Sequence, residues 1–418
     1  MDKVYVIDAC MGSGKTSAMI NMINQSSDAE RFIYVTPLLS ETERIAKACE
    51  SKKFAMPKAL FDKDKNIMTK KEGLIKLLRT QRNVVTTHAM FRLFDDSILE
   101  MCREYNYTLV LDETTEVINE YKMTRDDYLD FINSHSSEND DGTLKWVNSA
   151  YDSHSEQRQY NGAKFLEEKA LFTLGTVIDY KQNCLLYVFP IKIFEAFSRT
   201  FILTYLFDGQ IQKYYYDYYG ISYEYLYVTG TRPDNYKITS IPQMHVVPST
   251  MKHLIHISDN SRMNSIGESY YSLSRTWFQH EGDKTYALKD LRNNMFNYFY
   301  RINHSNSANS LWSVFNDFES SCSPHGYSKS FLYCNCRATN MYKDVTTLAY
   351  GVNLYLNPVI KNFFTTNYTE VDEDMYALST MIQWIWRSAI RDGKDINLYL
   401  PSSRMRRLLN NWLDDMYI

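Results

Sequence analysis

The sequence predicts an α/β fold: two tandem domains of parallel sheet flanked by helices, with an inserted, mostly helical segment. Three observations lead there. Short apolar runs rich in β-branched residues alternate with helix-like stretches over the first 120 residues, which suits strands buried on both faces. A polar stretch from about 120 to 195 interrupts that rhythm. A second α/β alternation begins after about residue 240.

Taken in order, Val4 to Ile7 reads as a buried strand, followed by a Gly-containing turn and a helix over Thr16 to Ile23. Phe32 to Val35 is the next strand, closed by Thr36-Pro37 and followed by a helix containing Thr42 to Ala48. Asn83 to Thr86 and Tyr107 to Leu111 complete the set, and a doubly wound sheet of this kind binds ligands beyond its carboxyl strand ends. The polar loop Ser134 to Gly142 and the stretch through Asn161-Gly162 read as an insertion, mostly helical, with a hairpin around Cys184 to Val188. Phe201 to Thr204 returns to strand pattern. An aromatic segment, Tyr214 to Tyr227, then leads to a linker at Thr229-Gly230-Thr231-Arg232-Pro233. The expected domains are residues 1–240, with the insertion at about 120–195, and residues 241–418. In the second, strands are expected at Met251 to Ile257, Ser330 to Cys334, Asn353 to Leu356 and Ile396 to Leu400, with amphipathic helices at Ser379 to Ile390 and Arg404 to Trp412.

Composition removes several function classes. At 418 residues, 44% hydrophobic and 23% charged, the chain has the usage of a globular protein with room for two or three cores. No apolar run approaches the ~20 residues of a membrane span, and the N-terminus lacks a signal-peptide pattern. Seven cysteines, an odd number, argue against a disulfide framework, so a reducing, cytoplasmic setting is expected. The net charge of −4 excludes a globally basic nucleic-acid binder, and any such binding must use a local surface. The 34 tyrosines are read as codon bias of an A/T-rich genome.

Two motifs carry chemistry. Ala9-Cys10-Met11-Gly12-Ser13-Gly14-Lys15-Thr16 follows a strand and opens a helix, the context a phosphate-binding P-loop requires. The glycines let successive backbone N–H groups of Met11 to Ser17 face phosphate oxygens, Lys15 reaches the β- and γ-phosphates, and Thr16 ligates Mg²⁺. The plainer alternative is a Gly-rich turn with a solvated lysine. Tyr107 to Leu111 ends in Asp112-Glu113: Asp112 can hold Mg²⁺ and Glu113 can act as general base on the attacking water. A nucleoside triphosphate and Mg²⁺ are therefore the expected nucleotide and metal.

Here the sequence resembles the superfamily-2 helicases and translocases of the DEAD/DEAH-like kind, in a form often encoded by phages and mobile elements. Ala9-x-x-Gly12-x-Gly14-Lys15-Thr16 matches that family's first motif and Asp112-Glu113-Thr114-Thr115 its DExx box. Val35-Thr36-Pro37-Leu38 is similar to motif Ia, Val84-Val85-Thr86-Thr87-His88 to a later strand-end motif, and Leu203-Thr204-Tyr205 to the Ser-Ala-Thr-like coupling motif. Thr347 to Asn353 resembles motif V, and Gln383 to Arg391 resembles motif VI. The resemblance implies two RecA-like domains, catalytic roles for Lys15, Asp112, Glu113, Gln383, Arg387 and Arg391, and nucleic acid lying across both domains. Two departures stand out. Trp386 replaces the usual glycine before the first arginine, and Arg391 lies four residues on rather than three. On one helix, Gln383, Arg387 and Arg391 would share a face.

The expected function is an ATP-dependent helicase or translocase acting on single-stranded or duplex nucleic acid, DNA favoured, with replication or recombination proteins as candidate partners and the host cytoplasm as its place. The rivals are a packaging-type motor that does not unwind and a nucleotide kinase. Cys334-Asn335-Cys336 is a lone CxC, read as buried strand-end cysteines, and no metal beyond Mg²⁺ is expected. Arg404, Arg406 and Arg407 with Lys394, and Lys70, Lys71, Lys76, Arg79 and Arg82, are basic patches that fit either phosphate contact or a solvated face. Tyr214 to Tyr227 fits either base stacking or core packing.

Overall fold

A computed structural model describes residues 4–61, 67–121, 124–134, 136–140, 142–147, 176–181, 184–230, 235–242, 249–281, 286–336 and 341–414. Residues Asn161-Gly162, and Thr231 to Pro233 of the expected linker, lie outside them. Among the described residues no helix is long and apolar enough to cross a membrane.

The strands in chain order are β1 (Val4–Asp8), β2 (Arg31–Thr36), β3 (Leu60–Phe61), β4 (Ile67–Met68), β5 (Val84–Thr87), β6 (Tyr107–Asp112), β7 (Ile118–Tyr121), β8 (Ser136–Glu138), β9 (Thr143–Trp146), β10 (Thr176–Tyr180), β11 (Cys184–Val188), β12 (Arg199–Thr204), β13 (Tyr223–Thr229), β14 (Lys237–Thr239), β15 (Ile255–Ile257), β16 (Ser310–Ser313), β17 (Thr347–Tyr350) and β18 (Ile396–Tyr399). The main sheet runs β14-β13-β1-β12-β6-β2-β5. It is parallel except for the antiparallel edge strand β14. Ile33, Tyr34 and Val35 on β2, and Leu109, Val110 and Leu111 on β6, are fully buried. Strands covered on both faces give the continuous apolar runs that made them legible. One strand, β12, separates β1 from β6, with Leu203 beside both Ile7 and Asp112.

The insertion departs from expectation. Its described part is a five-stranded antiparallel sheet, β7-β11-β10-β9-β8, with the helix Arg125–Ser134 and the 3₁₀ helix Ile191–Ala196, so the described residues are mainly sheet where a mostly helical segment is expected, and residues 148–175 lie outside them. Ser136 to Glu138, expected in a polar loop, pairs with β9. These strands are short and partly polar, and their core extends beyond the insertion. Phe363 and Phe364 of the helix Pro358–Thr366, far along the chain, join the same core as Leu185, Leu186 and Val188. The hairpin around Cys184 is present as β10–β11.

The second sheet is parallel, β15-β18-β17-β16. Its strands at Ser310–Ser313 and Thr347–Tyr350 replace those expected at Ser330 to Cys334 and Asn353 to Leu356. Asn353 is occupied otherwise: its amide donates to the Tyr270 and Ser272 carbonyls at 2.8 and 3.0 Å, tying the segment down as a buried connection. Cys334 and Cys336 are buried, on that kind of loop rather than on a strand. Of Met251 to Ile257, only Ile255 to Ile257 is strand, preceded by the helix Ser249–Leu254. Tyr214, Tyr215 and Tyr216 are fully buried on the helix Ile211–Tyr218, so these three rings are core and out of reach of a base.

The helix Glu373–Ile385 starts where Asp372 accepts from the Met375 N–H at 2.8 Å, with Glu373 and Asp374 favourably placed in its first turn. It ends at Ile385, whose carbonyl takes the Ser388 hydroxyl at 2.7 Å, and Ala389–Asp392 forms a separate 3₁₀ turn. Gln383, Arg387 and Arg391 therefore do not share one helical face.

The C-terminal basic patch is also reassigned. Arg404 is 4% exposed. It donates to Asp374, to the Asn353 side chain at 3.1 Å and to the Leu354 carbonyl at 2.7 Å, and its guanidinium lies 4.2 Å from the Tyr355 ring centre. Arg406 pairs with Glu268 and Arg407 with Asp374. Arg404→Ala is expected to cost about 3 kcal/mol of stability, at the low end for a broken buried pair because Asp374 keeps Arg407. Urea denaturation of the variant checks this, and a loss under about 1 kcal/mol would show the network to be dispensable.

Candidate functional site

The loop between β1 and the helix Lys15–Gln25 is shaped by Gly12 (φ +78) and Gly14 (φ +87), conformations that residues with a Cβ avoid. Gly14 stands at the helix N-cap, so the free N–H groups of the first turn open into the loop. Lys15 folds back onto the loop, donating to the Ala9 carbonyl and, at 3.1 Å, to the Cys10 carbonyl. Burial pulls its ammonium below the usual lysine range, partly offset by Cys10, Asp8, Asp112 and Glu113.

The acids come from β6. The Thr16 hydroxyl donates to Asp112 Oδ1 and the Tyr34 hydroxyl to Asp112 Oδ2, each at 3.4 Å. Glu113 sits just past the strand at φ +79, an unusual conformation for a non-glycine residue, held by its N–H bonding to the Leu203 carbonyl at 3.0 Å. From the C-terminal half, Arg387 Nη2 comes within 3.4 Å of Glu113 Oε1. This ion pair joins residues 274 positions apart.

The site also carries buried polar atoms without a hydrogen-bond partner: Ser13 Oγ, Glu113 Oε2 and Arg387 Nε. In a native interior such atoms call for an explanation, and a phosphate chain with its metal is one that suits both signs of donor and acceptor. Thr16 Oγ1 with the Asp112 carboxylate is a hard oxygen set of the kind Mg²⁺ takes. The residues present thus fit a magnesium–nucleotide pair.

Burial, then the neighbouring Glu113 charge, pushes the Asp112 carboxyl from its ordinary 3.8 up to about 7. The folded value lies above the unfolded one, so the stability this group contributes in metal-free protein is full below about pH 4 and is lost as pH rises through 7. Asp112→Asn is expected to flatten the wild-type fall in Tm between those limits, measured by thermal unfolding in EDTA. Parallel curves for the two proteins would contradict it.

Sequence-chosen residues fare unequally. Lys15, Thr16, Gly12, Ser13, Gly14, Asp112 and Glu113 meet around the loop, with Ser17 on the first helical turn. Met11 packs against the core of the C-terminal half. Gln383 bonds the Ser379 hydroxyl at 3.2 Å and lines a large cavity together with Glu113, Pro37, Leu38 and His88. Arg387 reaches Glu113, whereas Arg391 is an exposed residue of the separate 3₁₀ turn.

Other contributors escaped the sequence. Asp8 accepts from the Leu206 and Phe207 N–H groups at 2.9 Å each, joining the end of β1 to the loop after Thr204. Its signal was present, as a lone carboxylate ending an apolar strand. Gln210 and Gln212 grip the residues after Glu113, through the Thr114 hydroxyl at 3.3 Å and the Thr115 N–H at 2.8 Å. Gln210 also bonds Ser379 on the helix Glu373–Ile385, and Trp412 donates to the Tyr205 hydroxyl at 2.8 Å. These contacts link the acids to the C-terminal half, and nothing in local sequence marks them. The Trp386 ring lies against Gly12, 3.3 Å from where a Cβ would stand.

Residues 249–413 match a family described as the YonV C-terminal Rossmann-like domain. Over 417 residues the chain is 40% identical to the SPbeta prophage-derived uncharacterized protein YonV of Bacillus subtilis (strain 168), covering 99% of this chain and all of that one. Among solved structures it is similar to S. tokodaii Xpd4, with TM-score 0.48 and 13% identity over 98% of this chain and 94% of that one. It is also similar to the DUF1998 helicase MrfA bound to DNA and AMPPNP, with TM-score 0.35 and 10% identity over all of this chain and 48% of that one. On the strength of the full-length match, with the C-terminal domain match beside it, the chain belongs to the YonV family, a mixed α/β protein with parallel sheets and a Rossmann-like C-terminal domain.

Proposed function

We propose that the chain is an ATP-dependent nucleic-acid helicase or translocase of the superfamily-2 type, built from two RecA-like domains at residues 1–240 and 241–418. One observation carries the reading. Arg387 of the C-terminal half reaches the acid Glu113 beside the phosphate loop, so a nucleotide bound there would be met from both halves. The prophage origin in the description of YonV supports a phage-type protein working in the host cytoplasm.

In this reading the N–H groups of Met11 to Ser17 and the Lys15 ammonium hold the phosphates, and Lys15 exchanges its carbonyl partners for phosphate oxygens. Thr16 and Asp112 would hold Mg²⁺, which when bound neutralises phosphate charge. Glu113 Oε2, buried and unpartnered, takes the proton of the attacking water. Arg387 leaves Glu113 and turns its guanidinium to the terminal phosphate, while Gln383 lines the same cleft. The Thr204–Gln210 segment, tied to Asp8 on one side and Ser379 on the other, transmits opening and closing between the halves. In this reading the DNA path runs beside the catalytic acids, which the cavity shared by Pro37, Leu38, His88 and Glu113 supports.

The test is ATPase activity of the full chain with and without single-stranded DNA. Turnover stimulated by the strand is expected in wild type and no turnover in Lys15→Ala. Equal rates for the two proteins would sink the assignment. Stimulation without separation of a forked duplex would favour a packaging-type motor, and stimulation by nucleoside monophosphates alone a kinase.

A further inference from the structure

We propose that Tyr236 is the base platform of the nucleotide site, its ring stacking on the nucleobase of a bound purine nucleoside triphosphate; this rests on the nucleotide reading above. The direction in which a nucleotide must lie follows from the sheet order. The acids end β6, two strands from β1 on one side, while β13 abuts β1 on the other. The terminal phosphate has to face Glu113 and Arg387, so the sugar and base leave the loop over the carboxyl end of β13.

Tyr236 stands at that end, just before β14. A Cβ built on Gly14 would lie 2.6 Å from each of three Tyr236 ring atoms, Cδ1, Cδ2 and Cε1. Equal distances to those three atoms put it over the ring centre, so the ring lies flat on the Gly14 backbone. The residue is anchored as well as placed. Asn21, on the helix whose N-terminus receives the phosphates, donates its amide to the Tyr236 carbonyl at 3.1 Å. Gly230, at the end of β13, stays close to the residue before Tyr236, since a Cβ on Gly230 would fall 2.2 Å from the Asn235 carbonyl oxygen. The ring is half-buried, and in the proposed complex the base stacks on the face turned away from Gly14. A ring reads any base by its π-face, so the contact favours the larger purines and separates adenine from guanine poorly.

The experiment titrates full-length wild type, Tyr236→Ala and Tyr236→Phe, with Mg²⁺, against ATP and against inorganic tripolyphosphate, which has phosphates and no base. Tyr236→Ala is expected to weaken ATP binding roughly five- to a hundredfold and to leave tripolyphosphate within about twofold, with Tyr236→Phe close to wild type for both. Unchanged Tm in both variants establishes that folding is intact. Equal weakening of both ligands by Tyr236→Ala would show that the ring only shapes the loop, and tighter binding of both would make it a lid over the phosphates. Either result overturns the proposal. A wild type that binds neither ligand fails at the phosphate loop itself, which strikes the nucleotide reading rather than the choice of Tyr236.

Discussion

Arg387→Ala is expected to lower the kcat of ATP hydrolysis by roughly three to five orders of magnitude, the usual worth of an arginine that meets the transferring phosphate. ATP binding should change far less, because the phosphate loop and Asp112 belong to the other half of the chain. Arg387→Lys should recover little, since a point ammonium cannot reproduce the planar fork. The assignment among the two arginines is open to direct contradiction. Single-turnover rates of Arg387→Ala and Arg391→Ala decide it, and a small loss for the first with a large one for the second would move the role to Arg391. Geometry favours Arg387, which is 11% exposed at its side chain and already 3.4 Å from Glu113.

Glu113→Gln should reduce kcat by roughly two to four orders of magnitude, the range for a positioned general base. The amide keeps the size of the side chain and its contact with Arg387, but it cannot accept the proton of the attacking water. Nucleotide affinity should stay near wild type, which titration with a non-hydrolysable ATP analogue measures. A variant that hydrolyses ATP at an unaltered rate would remove Glu113 from the chemistry. Equal loss of binding and turnover would instead assign it a structural part, consistent with its strained φ of +79.

Where the sequence could be read, it was read through local rules. β1, β2, β5, β6 and β12 are short apolar strands between helices, and each was recognisable by itself. The phosphate loop and the Asp112-Glu113 pair were legible for a related reason: their function needs particular residue types at contiguous positions, two glycines with positive φ, then lysine and threonine. The errors have the opposite character. The insertion's strands share their core with Phe363 and Phe364, almost two hundred positions later. Apolar pattern alone favours Asn353 to Leu356 over the neighbouring Thr347 to Tyr350, but pairing with β16 and β18 makes the latter the strand. The helix at Gln383 ends sooner than its apolar pattern predicts, since Ser388 can sit in a helix or break one, and here its backbone is extended (φ −87, ψ −171). Arg404 looked like a surface cation and is a buried one.

By itself the sequence determined an α/β chain, a phosphate-binding loop and a pair of acids at a strand end, because hydrophobic periodicity and backbone conformation act over a few residues. Tertiary structure alone decided that Arg387 is the arginine facing Glu113, that Gln210 ties the segment after the acids to Ser379 in the C-terminal half, and that Tyr236 lies on Gly14. Those relations are contacts between residues tens to hundreds of positions apart. They depend on strand order and on which surfaces pack together, and no local pattern encodes either.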